Sequence, residues 1–67
     1  MIDLGKNIKY LRKVNNVTQI EVAEALDISK ATIAYYEVNK RQPSLDMLVK
    51  LAKYFNVTTD FLLDNER

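Results

Sequence analysis

The stretch VTQIEVAEALDISKATIAYYE, residues 17–37, decides how this chain folds. Thr18 followed by Glu21 has the spacing of a capping box, in which each side chain satisfies the other residue's free backbone N–H at a helix start. Val22, Ala23 and Leu26 then recur at helical spacing and mark the inward side of that helix. Asp27 stands where the helix should stop, and Ser29 is a good N-cap for the next one. Two helices separated by only about three residues have the spacing of a helix-turn-helix, here over residues 18–38.

At about 100° per residue, Ile33 and Tyr36 share one side of the second helix of this pair, with Glu37 at its edge. Lys30, Ala31, Ala34, Tyr35 and Val38 share the other. The outward side is therefore short at its centre, with an ammonium at one end and a phenol at its rim.

Upstream, Leu4, Ile8 and Leu11 fall at i, i+4 and i+7 and predict a first helix that fades near Asn15 and Asn16. Downstream, Asn39 and Lys40 are expected to end the third helix, and Pro43 and Ser44 prepare another start. Leu45, Leu48, Leu51, Ala52 and Phe55 then predict one apolar face of a fourth helix, with Asp46, Lys50 and Lys53 in water. Thr58 or Thr59 is expected to cap a last short helix that carries Phe61 and Leu62. One glycine and one proline in 67 residues agree with an all-helical chain. No repeat, linker or low-complexity tract interrupts it.

A chain of 67 residues is expected to form one domain, residues 1–67, near the size at which a single core is only marginally sufficient. Without cysteine there is neither a disulfide nor a thiolate metal site, and without histidine the commonest metal ligand and acid–base group is missing. No cofactor, metal or small-molecule ligand is therefore expected. No basic segment followed by an apolar run opens the chain, and no apolar stretch approaches the ~18 residues of a membrane helix, so a cytoplasmic location is the expectation.

The formal net charge is only +1, but the charges are unevenly placed. Lys6, Lys9, Arg12 and Lys13 make the first segment basic, Glu21, Glu24 and Asp27 make the second acidic, and Lys30, Lys40, Arg41, Lys50 and Lys53 outnumber Glu37 and Asp46 beyond it. Such unevenness suits a molecule with one positive side. The carboxylates are spread over helix starts and exposed faces, where they have a structural role, so no enzyme is expected.

Over nearly its whole length, from LGKNIKYLRK through VTQIEVAEALDISKATIAYYE to RQPSLDMLVKLAKYFNVTTDFLL, the chain resembles the lambda-repressor-like family, the Cro and XRE-type helix-turn-helix DNA-binding proteins. The resemblance implies an all-α, five-helix fold of four main helices and a short C-terminal one. It also implies a sequence-specific regulator of transcription, a repressor that binds a pseudo-palindromic double-stranded DNA operator as a homodimer, with the third helix in the major groove. On that basis Lys30, Ala31, Thr32 and Tyr35 are the expected base contacts, and Gln19, Lys40 and Arg41 the expected phosphate contacts. Ala23 matches the small residue that lets the second and third helices approach, Ile33 the apolar anchor of the reading helix, and Arg12 and Glu37 an ion pair joining the first and third helices.

Met47, Tyr54, Val57, Phe61 and Leu62 each fit a core, and as a group near the C-terminus they are the candidates for a dimer contact. Asp27 and Asn39 stand where the family favours glycine; both residue types tolerate left-handed backbone, and a glycine at either place is expected to stabilise the fold. Ile20 replaces a usually polar residue. With Ala34 and Val38 it offers an apolar surface that suits the alternative, a protein-interaction module of the same fold, such as an antitoxin-like or anti-repressor partner.

Overall fold

The computed structural model describes residues 3–64, which form α1 (Leu4–Val14), α2 (Gln19–Leu26), α3 (Lys30–Glu37), α4 (Leu45–Phe55) and α5 (Thr59–Leu63). No strand occurs among the described residues. Every helix begins on a short polar side chain that accepts a backbone N–H three residues on: Asp3 from Lys6, Thr18 from Glu21, Ser29 from Thr32, Ser44 from Met47 and Thr58 from Phe61. At α2 the Glu21 carboxylate also takes the Thr18 N–H at 2.9 Å, which completes the capping box.

The first four helices stop where the backbone turns left-handed. Asn16, Asp27, Asn39 and Asn56 have φ between 57° and 60°, all of them the residue types that enter this region at least cost after glycine. After α2, the Ile28 N–H returns to the Ala23 carbonyl at 3.0 Å, and after α4, Val57 returns to Ala52 at 2.9 Å. These bonds satisfy carbonyls that a helix end otherwise leaves open.

The inward sides meet in one core of Leu4, Ile8, Leu11, Val22, Ala23, Leu26, Ile33, Tyr36, Leu51, Ala52, Phe55 and Leu62. Burial of each large member stabilises the fold by roughly 1.5–3 kcal/mol relative to exposure. Two expectations are corrected here. Leu45, placed by spacing on the apolar face of α4, is 81% exposed, because it is the first helical residue after Ser44 and lies beyond the edge of the core. Leu62, a candidate dimer contact, is fully buried within the chain and has no surface to offer a second copy.

Three polar devices set how α1 docks on the rest. A Cβ on Gly5 would collide with the backbone carbonyls of Tyr36 and Glu37, so α1 and α3 approach backbone to backbone at the one glycine. Beside it, the Asn39 side chain accepts the Gly5 N–H at 2.9 Å and donates to Asp3 Oδ1 at 2.7 Å. At the other side of α1, the buried Asn7 amide donates to the carbonyls of Leu62 at 2.6 Å and Asp64 at 2.8 Å, which ties the end of α5 down. These bonds oppose the expected gain from glycine at position 39, since the replacement would remove two hydrogen bonds along with the side chain.

Candidate nucleic-acid interface

The sequence of α3 separates two functions onto two sides. Ile33, Tyr36 and Glu37 are buried, while Lys30, Ala31 and Tyr35 are exposed and Thr32 and Ala34 are half-buried. The buried side fixes the helix, and the open side is left with short methyl groups between a lysine and a tyrosine. Thr32 is partly engaged already: its N–H donates to Ser29 Oγ at 3.1 Å, and the two hydroxyls share a hydrogen bond of 2.9 Å.

At the C-terminal end of α3 the chain folds back on itself. The N–H of Lys40 donates to the Tyr35 carbonyl at 2.8 Å, and its ammonium sits 5.6 Å from the centre of the Tyr35 ring, within range of a cation–π attraction. Arg41 follows, exposed, with its N–H 3.4 Å from the same carbonyl. Two candidate phosphate contacts and one candidate base contact are thus brought together at this end, with Lys30 at the other.

Gln19 lies at the start of α2, half-buried, and its side-chain Nε2 donates to Glu37 Oε1 at 3.1 Å. That bond draws the start of α2 to the end of α3. Glu37 in turn takes Arg12 Nε on Oε2 at 2.6 Å and Arg12 Nη2 on Oε1 at 3.2 Å, a two-point pairing that fixes both groups. Arg12 Nη1 also reaches the Val17 carbonyl at 3.3 Å. The capping box uses the N–H groups of Thr18 and Glu21, while those of Gln19 and Ile20 have no acceptor among the described residues. A helix start with unmet N–H groups favours an anion.

Met47, Tyr54, Val57 and Phe61 are half-buried and pack against the core, Tyr54 edge-on to Phe55 with ring centres 4.9 Å apart. Ile20 and Val38 are exposed, at 51% and 68%. No group of three or more carboxylates, histidines or cysteines able to hold a metal occurs among the described residues, and no helix there is long and apolar enough to cross a membrane.

Sequence reasoning missed the bonds of the Asn7 and Asn39 side chains and the link from Gln19 to Glu37. All three join residues at least 18 positions apart, and no local spacing announces them.

The family model described as Helix-turn-helix matches residues 8–62. The chain is 40% identical over 65 residues to the HTH-type transcriptional regulator ImmR of Bacillus subtilis, an alignment that covers 97% of this chain and 51% of ImmR. It is 42% identical over 54 residues to the uncharacterized HTH-type transcriptional regulator MJ0272 of Methanocaldococcus jannaschii, covering 81% of this chain and 82% of that one. Among solved structures, that of SinR, the master regulator for biofilm formation, in complex with DNA superposes with a TM-score of 0.83 at 31% identity, covering 91% of this chain and 98% of that chain. The chain spans about half the length of several curated relatives it matches. Five helices without a strand among the described residues, a match over most of the length and relatives of this kind agree: the chain belongs to the XRE-type, lambda-repressor-like helix-turn-helix family.

Proposed function

We propose that the chain is a sequence-specific reader of double-stranded DNA and a regulator of transcription, a repressor that binds a pseudo-palindromic operator as a homodimer with α3 in the major groove. The observation that carries this reading is the outward side of α3, where Lys30, Ala31 and Tyr35 are exposed on a helix whose other side is locked into the core. The similarity to SinR, solved with DNA, supports it.

Short side chains at Ala31 and Ala34 let the helix approach the groove floor, where an alanine methyl can meet a thymine methyl. Lys30 donates to guanine O6 or N7, and Tyr35 and Thr32 reach a base edge or the backbone. Gln19, the unmet N–H groups at the start of α2, Lys40 and Arg41 hold phosphates and set the register. The 67 residues act as one DNA-binding domain in the cytoplasm. In the homodimer, Met47, Tyr54, Val57 and Phe61 supply the contact, and two copies of α3 meet successive major grooves about 34 Å apart.

Binding titrations against cognate and scrambled duplexes at several salt concentrations test this division of roles. Arg41→Ala should weaken all duplexes alike and reduce the salt slope by about 1. Lys30→Ala or Tyr35→Ala should relax preference at one base position by about 1–3 kcal/mol. Indistinguishable behaviour of the two classes would contradict the assignment. The exposed Ile20 and Val38 favour the protein-interaction module as the second reading, and tight binding to a protein partner with no duplex affinity at low salt would put it first.

A further inference from the structure

We propose that Glu37 is a positioning residue for phosphate recognition: it acts through the side-chain amide of Gln19 and so registers the contact at the start of α2 to the end of the reading helix α3. The inference rests on the DNA-binding reading above and deepens it.

Glutamine has a long, flexible side chain whose amide can present either its oxygen or its nitrogen to solvent. At Gln19 that freedom is removed, because Nε2 lies 3.1 Å from Glu37 Oε1 and a carboxylate only accepts. The nitrogen must face Glu37. One Nε2 proton is used there, and the second has no acceptor among the described residues, as the N–H groups of Gln19 and Ile20 have none. Gln19 and Ile20 thus bring three open donor protons to the first turn of α2, the amide proton on the side chain that Glu37 holds.

Glu37 can hold this amide because it is itself held. It is 9% exposed, and its two oxygens are fixed by Arg12 Nε at 2.6 Å and Nη2 at 3.2 Å. Arg12 also balances a carboxylate charge that would otherwise oppose a phosphate at the start of α2. Glu37 is the last residue of α3, so a tilt of the reading helix would carry the Gln19 amide with it. The phosphate donor and the base-reading side chains therefore move as one body.

The test is a comparison of two neutral replacements of the ion pair, each made with Gln19 and with Gln19→Ala. Arg12→Met/Glu37→Gln keeps a carbonyl oxygen for the Gln19 amide, and Arg12→Met/Glu37→Met removes it. The probe is the duplex most enriched by the unmodified chain from a random pool. With Gln19 present, the variant that keeps the oxygen should bind roughly three- to tenfold more tightly, the gain that fixing one flexible side chain supplies. With Gln19→Ala the two should agree within about twofold. An equal ratio in both backgrounds, or no difference in either, would overturn the proposal and leave the DNA-binding reading intact. Full affinity of Gln19→Ala in the otherwise unmodified chain would overturn the assignment of Gln19 to phosphate, and the proposal with it.

A second measurement needs no variant to fold. In the unmodified chain free of DNA, nitrogen relaxation of the Gln19 side-chain amide should show it as ordered as the backbone of α2. An amide as mobile as those of exposed glutamines would refute the positioning role.

Discussion

Asp27 and Asn39 adopt the same left-handed backbone, at φ 57° and 60°, for different reasons. Asp27 lies between α2 and α3, is exposed, and its side chain makes no hydrogen bond within the described residues. Asn39 lies after α3, is half-buried, and its side chain joins Gly5 and Asp3 at the start of α1. At the first turn the residue type is tolerated by the backbone; at the second it also binds a neighbouring helix. The lesson is that a backbone conformation alone does not say whether glycine would serve as well.

The sharpest way to break this comparison is at the partner of Asn39. Gly5→Ala places a methyl group against the carbonyls of Tyr36 and Glu37 and should destabilise the fold by about 3 kcal/mol or more, read from denaturant midpoints. Unchanged stability would mean that α1 does not approach α3 backbone to backbone. Asn39→Gly should cost about 1–2 kcal/mol, because the relief of left-handed strain is smaller than the loss of two hydrogen bonds and of chain stiffness. A stabilised variant would show that the bridge to α1 contributes nothing.

Asp27→Gly should have the opposite sign and a smaller size, a gain of up to about 1 kcal/mol from removing side-chain strain that no bond offsets. Equal losses at both positions would erase the distinction between the turns. The smallest effect lies in pH. The side-chain bond from Asn39, the Lys6 N–H and the nearby Lys6 charge hold the Asp3 carboxyl below its ordinary value of 3.8. A carboxyl depressed on folding contributes stability above its unfolded value and loses it as pH falls through the folded one. Melting temperatures of the unmodified chain and of Asp3→Asn should therefore converge as the medium is acidified below about pH 4. A difference that persists unchanged into strong acid would mean that the Asp3 charge has no part in the corner.

Much of the fold was legible because its determinants are local. Thr18 with Glu21, and Ser29, Ser44 and Thr58, announce helix starts through bonds that span three residues, and the spacings of Leu4, Ile8 and Leu11 and of Leu51 and Phe55 follow the helical period. The same period put Leu45 on the core face of α4, although Leu48 is only partly buried and full burial begins at Leu51. Periodicity gives a side of a helix and says nothing of where the neighbouring helix ends. Asn7 is buried only because the end of α5 passes over it, 55 positions away, and an asparagine among apolar residues reads locally as a surface residue.

The outward residues of α3 were legible for the converse reason, since they are what remains when Ile33 and Tyr36 are assigned inward. Their neighbours were not. The seating of Lys40 over Tyr35 and the hold of Glu37 on Gln19 arise from chain reversal and helix packing. The first links a residue assigned to phosphate with one assigned to a base, and the second links a phosphate contact to the structural ion pair. The Lys40 ammonium lies over the Tyr35 ring, so Arg41 is the cleaner probe of a pure phosphate contact.

The most direct measurement of the central claim is selection of bound duplexes from a random DNA pool by the purified chain at moderate salt. Enrichment of an inverted repeat with half-sites about one helical turn apart is the expected result, and it would supply the sequence against which Lys30, Tyr35 and Arg41 can be titrated. A pool that stays unenriched at every salt concentration would contradict sequence-specific reading by α3.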